Sequence, residues 1–210
     1  MSCRVVVLLS GRGSNFQAIV GAQLPIEIVA VISNRPQAEG LEFAREHGLT
    51  AVALDHAAHP DRDAFDGLLA DEIARHQPDL VVLAGYMRIL SPAFIARFEG
   101  RLLNIHPSLL PAFPGLKTHA RALAEGVKIH GCTVHFVTAQ LDHGPIVIQA
   151  AVPVQADDTV LTLAARVLAQ EHAIYPQAIR WFAEGRLVNN RGLINLRGDL
   201  TSQSVLSTGA

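Results

Sequence analysis

The sequence predicts an α/β fold built on an open twisted sheet, mostly parallel, with helices on both faces and an antiparallel addition in the C-terminal half. In the first half of the chain, short apolar runs rich in β-branched residues alternate with amphipathic segments. Runs that are apolar on both faces are typical of parallel strands covered by helices. In the second half this alternation of strand and helix patterns is interrupted, because two extended runs follow each other directly. The predicted architecture is therefore Rossmann-like.

The first half of the chain supplies five predicted strands and four predicted helices. The strands are Arg4–Ser10, Ile26–Ser33, Thr50–Asp55, Asp79–Gly85 and Arg101–His106. The helices are Asn15–Val20, Gly40–His47, Arg62–His76 and Ser91–Phe98. Ser91 is suited to cap the last of these helices, and Pro92 is suited to its first position. Repeated alternation of strand and helix implies right-handed crossovers within one sheet.

The second half begins with the two extended runs, Lys128–Thr138 and Pro145–Pro153. They are joined by a short polar loop, which predicts an antiparallel pair at the edge of the sheet. A long helix is predicted from Thr159 to Glu184, and Pro176 is expected to kink or divide it near Tyr175.

We expect a single domain over residues 1–187 and a flexible tail over 188–210, whose last part is rich in Ser, Thr and Gly. No apolar run approaches the roughly 18 residues of a membrane helix. The first apolar run is also shorter than the roughly 7–15 residues of a signal peptide core. The expected location is therefore the cytoplasm.

Charge and cysteine content exclude further classes of protein. The formal net charge is −2, which gives no general attraction to nucleic acid or to an anionic membrane surface. The two cysteines, Cys3 and Cys132, form no Cys-x-x-Cys pair, so neither a secreted disulfide framework nor a thiol redox motif is predicted. The expected partners are small molecules, and either a monomer or a homodimer is compatible with the sequence.

A glycine-rich turn follows the first predicted strand. Gly11, Gly13, Ser14 and Asn15 lie between that strand and the first helix. Glycines allow a ligand to approach the backbone closely, and unpaired N–H groups at a helix start attract an anion. The turn lacks the third glycine of a dinucleotide fingerprint and the Gly-Lys-Ser/Thr of a P-loop. It is therefore suited to a monophosphate, although a tight turn with a helix cap remains an alternative.

A polar cluster ends the fifth predicted strand. Asn104 and His106 are two residues apart, so their side chains share one face of the strand. An amide can donate to a developing oxyanion, and an imidazole can move a proton near neutral pH. Asp142, in the loop of the predicted antiparallel pair, could reach the same end of the sheet and favour the imidazolium form of His106. Structural roles for a strand-end histidine and a turn aspartate remain alternatives.

The sequence gives less support for a nucleophilic catalyst or a metal site than for the Asn104–His106 cluster. Ser108 has no G-x-S-x-G elbow around it, and Cys132 lies within a predicted strand with no evident activating partner. The chain contains ten histidines, but they show neither H-E-x-x-H nor Cys/His zinc spacing. No metal is therefore expected.

Five motifs in order give the chain a family resemblance. They are "SGRGSN", "LAGYMRILSPAF", "LLNIHPSLLPAFPG", "VHFVTAQLDHGPIV" and "QEHAIYPQAIRWFAEGRL". Together they resemble the folate-dependent phosphoribosylglycinamide formyltransferases from about Val5 to Leu187. The resemblance implies the formyltransferase fold and direct transfer of a formyl group from 10-formyltetrahydrofolate to the amine of glycinamide ribonucleotide, in de novo purine biosynthesis.

The resemblance also implies roles for individual residues. Asn104, His106 and Asp142 match the catalytic positions, and Asn104 also contacts the folate. The residues expected to bind the nucleotide are Gly11, Gly13, Ser14 and Asn15 at the phosphate and Glu171 at the ribose. The residues expected to bind the folate are Arg62, Met87, Arg88, Ile89 and Leu90. Residues 114–131 are expected to form a loop over the site.

Several alternatives share part of this pattern. A formyltetrahydrofolate deformylase has a similar Asn–His–Asp core, but we expect an added N-terminal regulatory domain there and no phosphate site. A methionyl-tRNA formyltransferase would bring an RNA-binding domain and more positive charge. A sugar-nucleotide formyltransferase also remains open. A noncatalytic nucleotide-binding module would not need Asn104, His106 and Asp142 to converge.

Overall fold

The computed structural model describes residues 2–198 and 202–207. Two compact units are present, of which the first ends at Asn104 and the second begins at Ile105. No helix among the described residues is long and apolar enough to cross a membrane.

The first unit is a parallel α/β structure. Its strands are β1 (Cys3–Leu9), β2 (Ile26–Ser33), β3 (Ala51–Ala53) and β4 (Leu80–Leu83), followed by β5 (Leu102–His106), which continues into the second unit. Its helices are α1 (Ser14–Gly21), α2 (Glu39–Glu46), α3 (Arg62–Arg75) and α4 (Pro92–Arg97). The strand order is β5-β4-β1-β2-β3, and neighbouring strands in it run parallel. The predicted fold class is confirmed.

The apolar character of the strands explains this arrangement. The side chains of Val5 to Leu9 in β1 are all completely buried, so both faces of this central strand are covered. A strand of this kind can only lie between layers of helices. The predicted helix cap is also confirmed, because Oγ of Ser91 accepts a hydrogen bond of 3.3 Å from the N–H of Phe94.

The second unit contains the antiparallel addition. Its elements are α5 (Thr118–Ala124), β6 (Ile129–Phe136), β7 (Ile146–Pro153), α6 (Val160–Ala183), β8 (Leu187–Asn190), β9 (Leu193–Leu196) and β10 (Ser204–Leu206). The strand order is β10-β7-β6-β5, with β6 and β7 antiparallel as predicted. Only glycine fits at Gly131 of β6, because a Cβ there would overlap the carbonyl oxygen of Ala150 in β7.

Three expectations differ from the structure. The helix α6 is not divided at Pro176, and a kink there stays a prediction; burial of Tyr175, Ile179 and Trp181 around the proline holds the helix together although one backbone donor is missing. Residues 114–131, expected as a loop, include α5 and the start of β6. The expected tail contains the β8–β9 hairpin and β10, while residues 199–201 and 208–210 lie outside the described residues.

Candidate active site

The glycine-rich turn lies open at the end of β1. Gly13 has a φ of +72° and stands at the N-cap of α1, a left-handed conformation that favours glycine. A Cβ at Gly11 would meet no atom within 4 Å, so the space beside that backbone is free. The turn is held from behind, because the N–H of Gly40 donates to the carbonyl oxygen of Gly11 at 3.1 Å. Ser14 opens the helix and Asn15 is buried in its first turn. This is the geometry expected of a phosphate-binding turn.

The segment Met87–Leu90 follows β4. The side chains of Met87 and Ile89 are 64% and 59% exposed, whereas Leu90 is buried. Packing in the core therefore does not explain Met87 or Ile89, although it explains Leu90. Two large exposed apolar side chains on one short segment form a surface that can contact a flat apolar ligand.

Arginine and aromatic side chains hold this segment against α3. The guanidinium carbon of Arg88 lies 4.8 Å from the centre of the Phe65 ring, a cation–π contact. Arg62 stands at the start of α3, one turn before Phe65, and its side chain is half exposed. At the other end of the segment, Oδ2 of Asp66 accepts a hydrogen bond of 2.6 Å from the N–H of Ser91. The two arginines expected at the folate site therefore lie in the same region of the first unit.

A buried tyrosine, Tyr86, directly precedes the segment Met87–Leu90. Burial raises the pKa of the Tyr86 hydroxyl far above its ordinary value; the carboxylate of Asp66 adds to this shift and Arg88 opposes it. Tyr86 is therefore un-ionised over the physiological range. Neither Tyr86 nor Asp66 was identified by sequence reasoning, because no local motif connects them with Arg88.

His106 and Asp142 form a buried pair in the second unit. Nδ1 of His106 lies 3.5 Å from Oδ2 of Asp142, and the two side chains are only 7% and 9% exposed. Nε2 of His106 lies 3.0 Å from the carbonyl oxygen of Phe113. Both ring nitrogens therefore face hydrogen-bond acceptors. A neutral imidazole can donate to only one of them, whereas imidazolium can donate to both.

The loop between β6 and β7 presents Asp142. The residue has a φ of +51°, a left-handed conformation that aspartate tolerates. Oδ2 accepts a hydrogen bond of 2.8 Å from the N–H of Gly115, and Oδ1 lies 4.0 Å from Nε2 of His135. Burial lowers the pKa of His135, and Nδ1 of that ring faces the carbonyl oxygen of Phe136 at 2.9 Å. Nδ1 of His135 therefore donates to that carbonyl oxygen, and Nδ1 of His106 is the nitrogen nearer to Asp142.

Asn104 shares β5 with His106. It pairs with Leu83 of β4 in the parallel register, and its side chain is half-buried. Because alternate residues of a strand point to the same face, its amide lies on the same face as the imidazole of His106. Glu171, expected at the ribose, is a buried residue of α6.

Two further histidines lie close to this region of the second unit. Nδ1 of His119 lies 3.2 Å from Nε2 of His130. Burial, together with the neighbouring His119, lowers the pKa of His130 to about 4, and the pKa of His119 is lowered by burial and by His106. Sequence reasoning gave neither residue a role.

The structure argues against the nucleophiles considered from sequence. The hydroxyl of Ser108 is buried and lies 2.6 Å from the carbonyl oxygen of Ala112. Cys132 is completely buried, and burial raises the pKa of its thiol well above the ordinary value. Within residues 2–198 and 202–207, no group of three or more His, Cys, Asp or Glu side chains is arranged to hold a metal ion.

Comparison with known proteins gives the family. The profile of the formyl transferase family matches residues 3–179, so the chain belongs to that family. The chain is 54% identical over 187 residues to phosphoribosylglycinamide formyltransferase of Escherichia coli (strain K12), a match that covers 87% of this chain and 88% of that protein. The resemblance inferred from the five motifs is confirmed.

Solved structures of proteins with this activity in their names have the same fold as this chain. Glycinamide ribonucleotide transformylase 1 from Symbiobacterium toebii superposes with a TM-score of 0.90 at 52% identity, over 93% of this chain and 94% of that one. Phosphoribosylglycinamide formyltransferase from Coxiella burnetii gives a TM-score of 0.91 at 45% identity, over 98% and 99% of the two chains.

Proposed function

We propose that this protein transfers the formyl group of 10-formyltetrahydrofolate to the amine of glycinamide ribonucleotide, producing formylglycinamide ribonucleotide and tetrahydrofolate. Formyl transfer to phosphoribosylglycinamide is the activity for which these relatives are named. Formyl transferases are in general folate-dependent. The observation that supports the proposal is the buried His106–Asp142 pair, because it holds an imidazole at the end of a strand between a carboxylate and a carbonyl oxygen.

The chemistry is direct attack. The substrate amine forms a bond to the formyl carbon while the carbonyl electron pair moves to oxygen, giving a tetrahedral intermediate. The amide N–H of Asn104 and the imidazolium of His106 stabilise that oxyanion; one such donor contributes about 10²–10³-fold to the rate. The proposed steps use these side chains and the two substrates alone.

Collapse of the intermediate requires a proton transfer. The attacking nitrogen must lose a proton, and the departing folate nitrogen must gain one. His106 exchanges this proton through Nε2, which leaves the carbonyl oxygen of Phe113 to do so, and Asp142 orients the ring through Nδ1. General acid–base assistance of this kind contributes about 10²–10⁴-fold.

The first unit supplies the binding segments. Gly11, Gly13, Ser14 and Asn15 present backbone N–H groups to the nucleotide phosphate at the open turn. Met87 and Ile89 contact the folate ring system with their exposed side chains. Arg88 and Arg62 pair with the carboxylates of the folate glutamate, Leu90 packs beneath the segment, and Glu171 contacts the ribose. The protein acts in the cytoplasm on small-molecule substrates.

The main alternative is hydrolysis, in which water accepts the formyl group. Purified protein is incubated with 10-formyltetrahydrofolate with and without glycinamide ribonucleotide, and tetrahydrofolate release is followed by absorbance. We expect consumption of the formyl donor to require the nucleotide, with one formylated nucleotide formed per tetrahydrofolate. Equal consumption in its absence would identify a deformylase.

A further inference from the structure

The chain from Pro107 to Gly115, called here the exit loop, fixes both members of the catalytic pair. The carbonyl oxygen of Phe113 lies 3.0 Å from Nε2 of His106. The N–H of Gly115 donates to Oδ2 of Asp142 at 2.8 Å. The orientation of the imidazole and that of the carboxylate therefore both depend on where this loop lies.

A threonine of β6 anchors the exit loop. The hydroxyl of Thr133 donates to the carbonyl oxygen of Ser108 at 2.7 Å and accepts from the N–H of Leu110 at 3.0 Å. Thr133 is completely buried, so water cannot replace these bonds.

A glutamine of β7 supports the same point. Nε2 of Gln149 donates to the carbonyl oxygen of Leu110 and to Oγ1 of Thr133, both at 2.9 Å. The Thr133 oxygen therefore uses its one hydrogen and both of its lone pairs. Because the Thr133 oxygen has no unused hydrogen or lone pair, these bonds hold the threonine, the glutamine and the loop in one arrangement.

We propose that Thr133 and Gln149 are positioning residues for formyl transfer, acting through the exit loop on His106 and Asp142 rather than on a substrate. The inference rests on the proposed function, because the loop affects the reaction only if His106 and Asp142 are catalytic. Removing the Thr133 hydroxyl deprives Ser108, Leu110 and Gln149 of a partner, so the loop must move to find others. A displacement of about 1 Å in a catalytic group can cost about 10²-fold in rate.

The first arm of the experiment compares three variants. Thr133→Val removes the hydroxyl at nearly constant volume, Thr133→Ser keeps it, and Thr118→Val is the matched control. Thr118 is also buried, but its hydroxyl has no hydrogen-bond partner among the described residues. Each protein is assayed for kcat, for KM of both substrates, for nucleotide affinity by calorimetry and for thermal unfolding.

We expect Thr133→Val to lower kcat by about 10- to 100-fold while nucleotide affinity stays within about twofold. Thr133→Ser should keep most of the parent kcat, and Thr118→Val should have the kcat of the parent. Gln149→Leu should lower kcat in the same direction, because the amide supports the same loop position. Loss of nucleotide affinity in parallel with kcat, or failure of serine to recover activity, would contradict a positioning role.

The second arm places Thr133→Val in a His106→Ala background. If Thr133 acts through His106, its substitution should lower kcat much less there than in the parent. An equal further loss of kcat would overturn the inference and leave the proposed function intact. Full activity of His106→Ala alone would overturn both the catalytic assignment and the inference built on it.

Discussion

The hydroxyl oxygen of Ser10 accepts a hydrogen bond of 2.8 Å from the backbone N–H of Met87. Its own hydrogen is donated to Oδ1 of Asn34 at 2.5 Å, and the N–H of Ser10 donates to the carbonyl oxygen of Gly85 at 3.1 Å. Ser10 directly precedes the turn proposed to bind the phosphate, and Met87 begins the segment proposed to contact the folate. One buried side chain therefore joins the two segments of the first unit that are proposed to bind the substrates.

Ser10→Ala should weaken binding of the formyl donor. The substitution leaves the N–H of Met87 without its acceptor, and a buried group left unpaired costs about 1–3 kcal/mol. We expect the KM for 10-formyltetrahydrofolate to rise about tenfold, measured by steady-state kinetics. Ser33→Ala is the matched control, because that buried hydroxyl accepts from the N–H of Arg35 instead. An unchanged KM in Ser10→Ala would contradict the role of this contact.

Asp142→Asn should separate catalysis from nucleotide binding. The amide keeps the shape of the carboxylate but removes the negative charge that faces Nδ1 of His106. We expect kcat to fall by about 10²–10⁴-fold. Nucleotide affinity, followed by calorimetry, should remain near that of the parent. Asp157→Asn is the control. Asp157 is an exposed aspartate of the same unit that does not belong to the His106–Asp142 pair. Comparable losses of kcat in both variants would argue against a specific role for Asp142.

Gly144→Ala should disturb the loop that presents Asp142. A Cβ at this position would overlap the carbonyl oxygen of Phe136, so the backbone near Asp142 must shift. We expect kcat to fall by at least about 10-fold, because the carboxylate loses its alignment with His106. Gly67→Ala provides the comparison: a Cβ at that helical position meets no atom within 4 Å, and activity should be kept. A fully active Gly144→Ala protein would show that the loop tolerates the shift.

His130 should make the stability of the fold depend on pH. Its pKa is about 6.5 in an unfolded chain and about 4 in the folded protein, because burial disfavours the charged ring. Between these values the unfolded state binds a proton that the folded state does not. The free energy of unfolding should therefore fall as the pH is lowered from about 6.5 towards 4.

Denaturant unfolding at several pH values tests this dependence. His130→Gln, which cannot titrate, should show a shallower decline in the free energy of unfolding than the parent. His47→Gln removes an exposed imidazole and serves as the comparison. Identical slopes for the parent and His130→Gln would contradict the prediction.

Much of the parallel fold could be predicted from local pattern. The strand Ile26–Ser33 was predicted with its observed limits, because a run of β-branched residues between turn signals has few other solutions. The helix α5 was missed because it has only seven residues and begins after Lys117, which has a φ of +56° and no capping side chain. The β8–β9 hairpin did leave a signal, since Arg191 and Gly192, both with positive φ, separate two short apolar runs.

The candidate site was predictable where its residues lie together in sequence. The glycine-rich turn and the Asn104–His106 spacing are local features, and the family motifs supplied Asp142. The contacts of Ser10 with Met87 and of Thr133 with Ser108 join residues 77 and 25 positions apart. No local pattern encodes such pairs, because tertiary packing alone decides which strand ends meet.

The strand β10 has a consequence for the behaviour of the protein in concentrated solution. It runs parallel to β7, and the N–H of Gln149 and the carbonyl oxygen of Ala151 are both used in bonds to this last strand and its flanking residues. Backbone groups left open along an apolar strand such as β7 would invite pairing with another molecule. The strand β10 therefore protects β7 from pairing with another molecule, and its removal should lower the solubility of the protein before it lowers turnover.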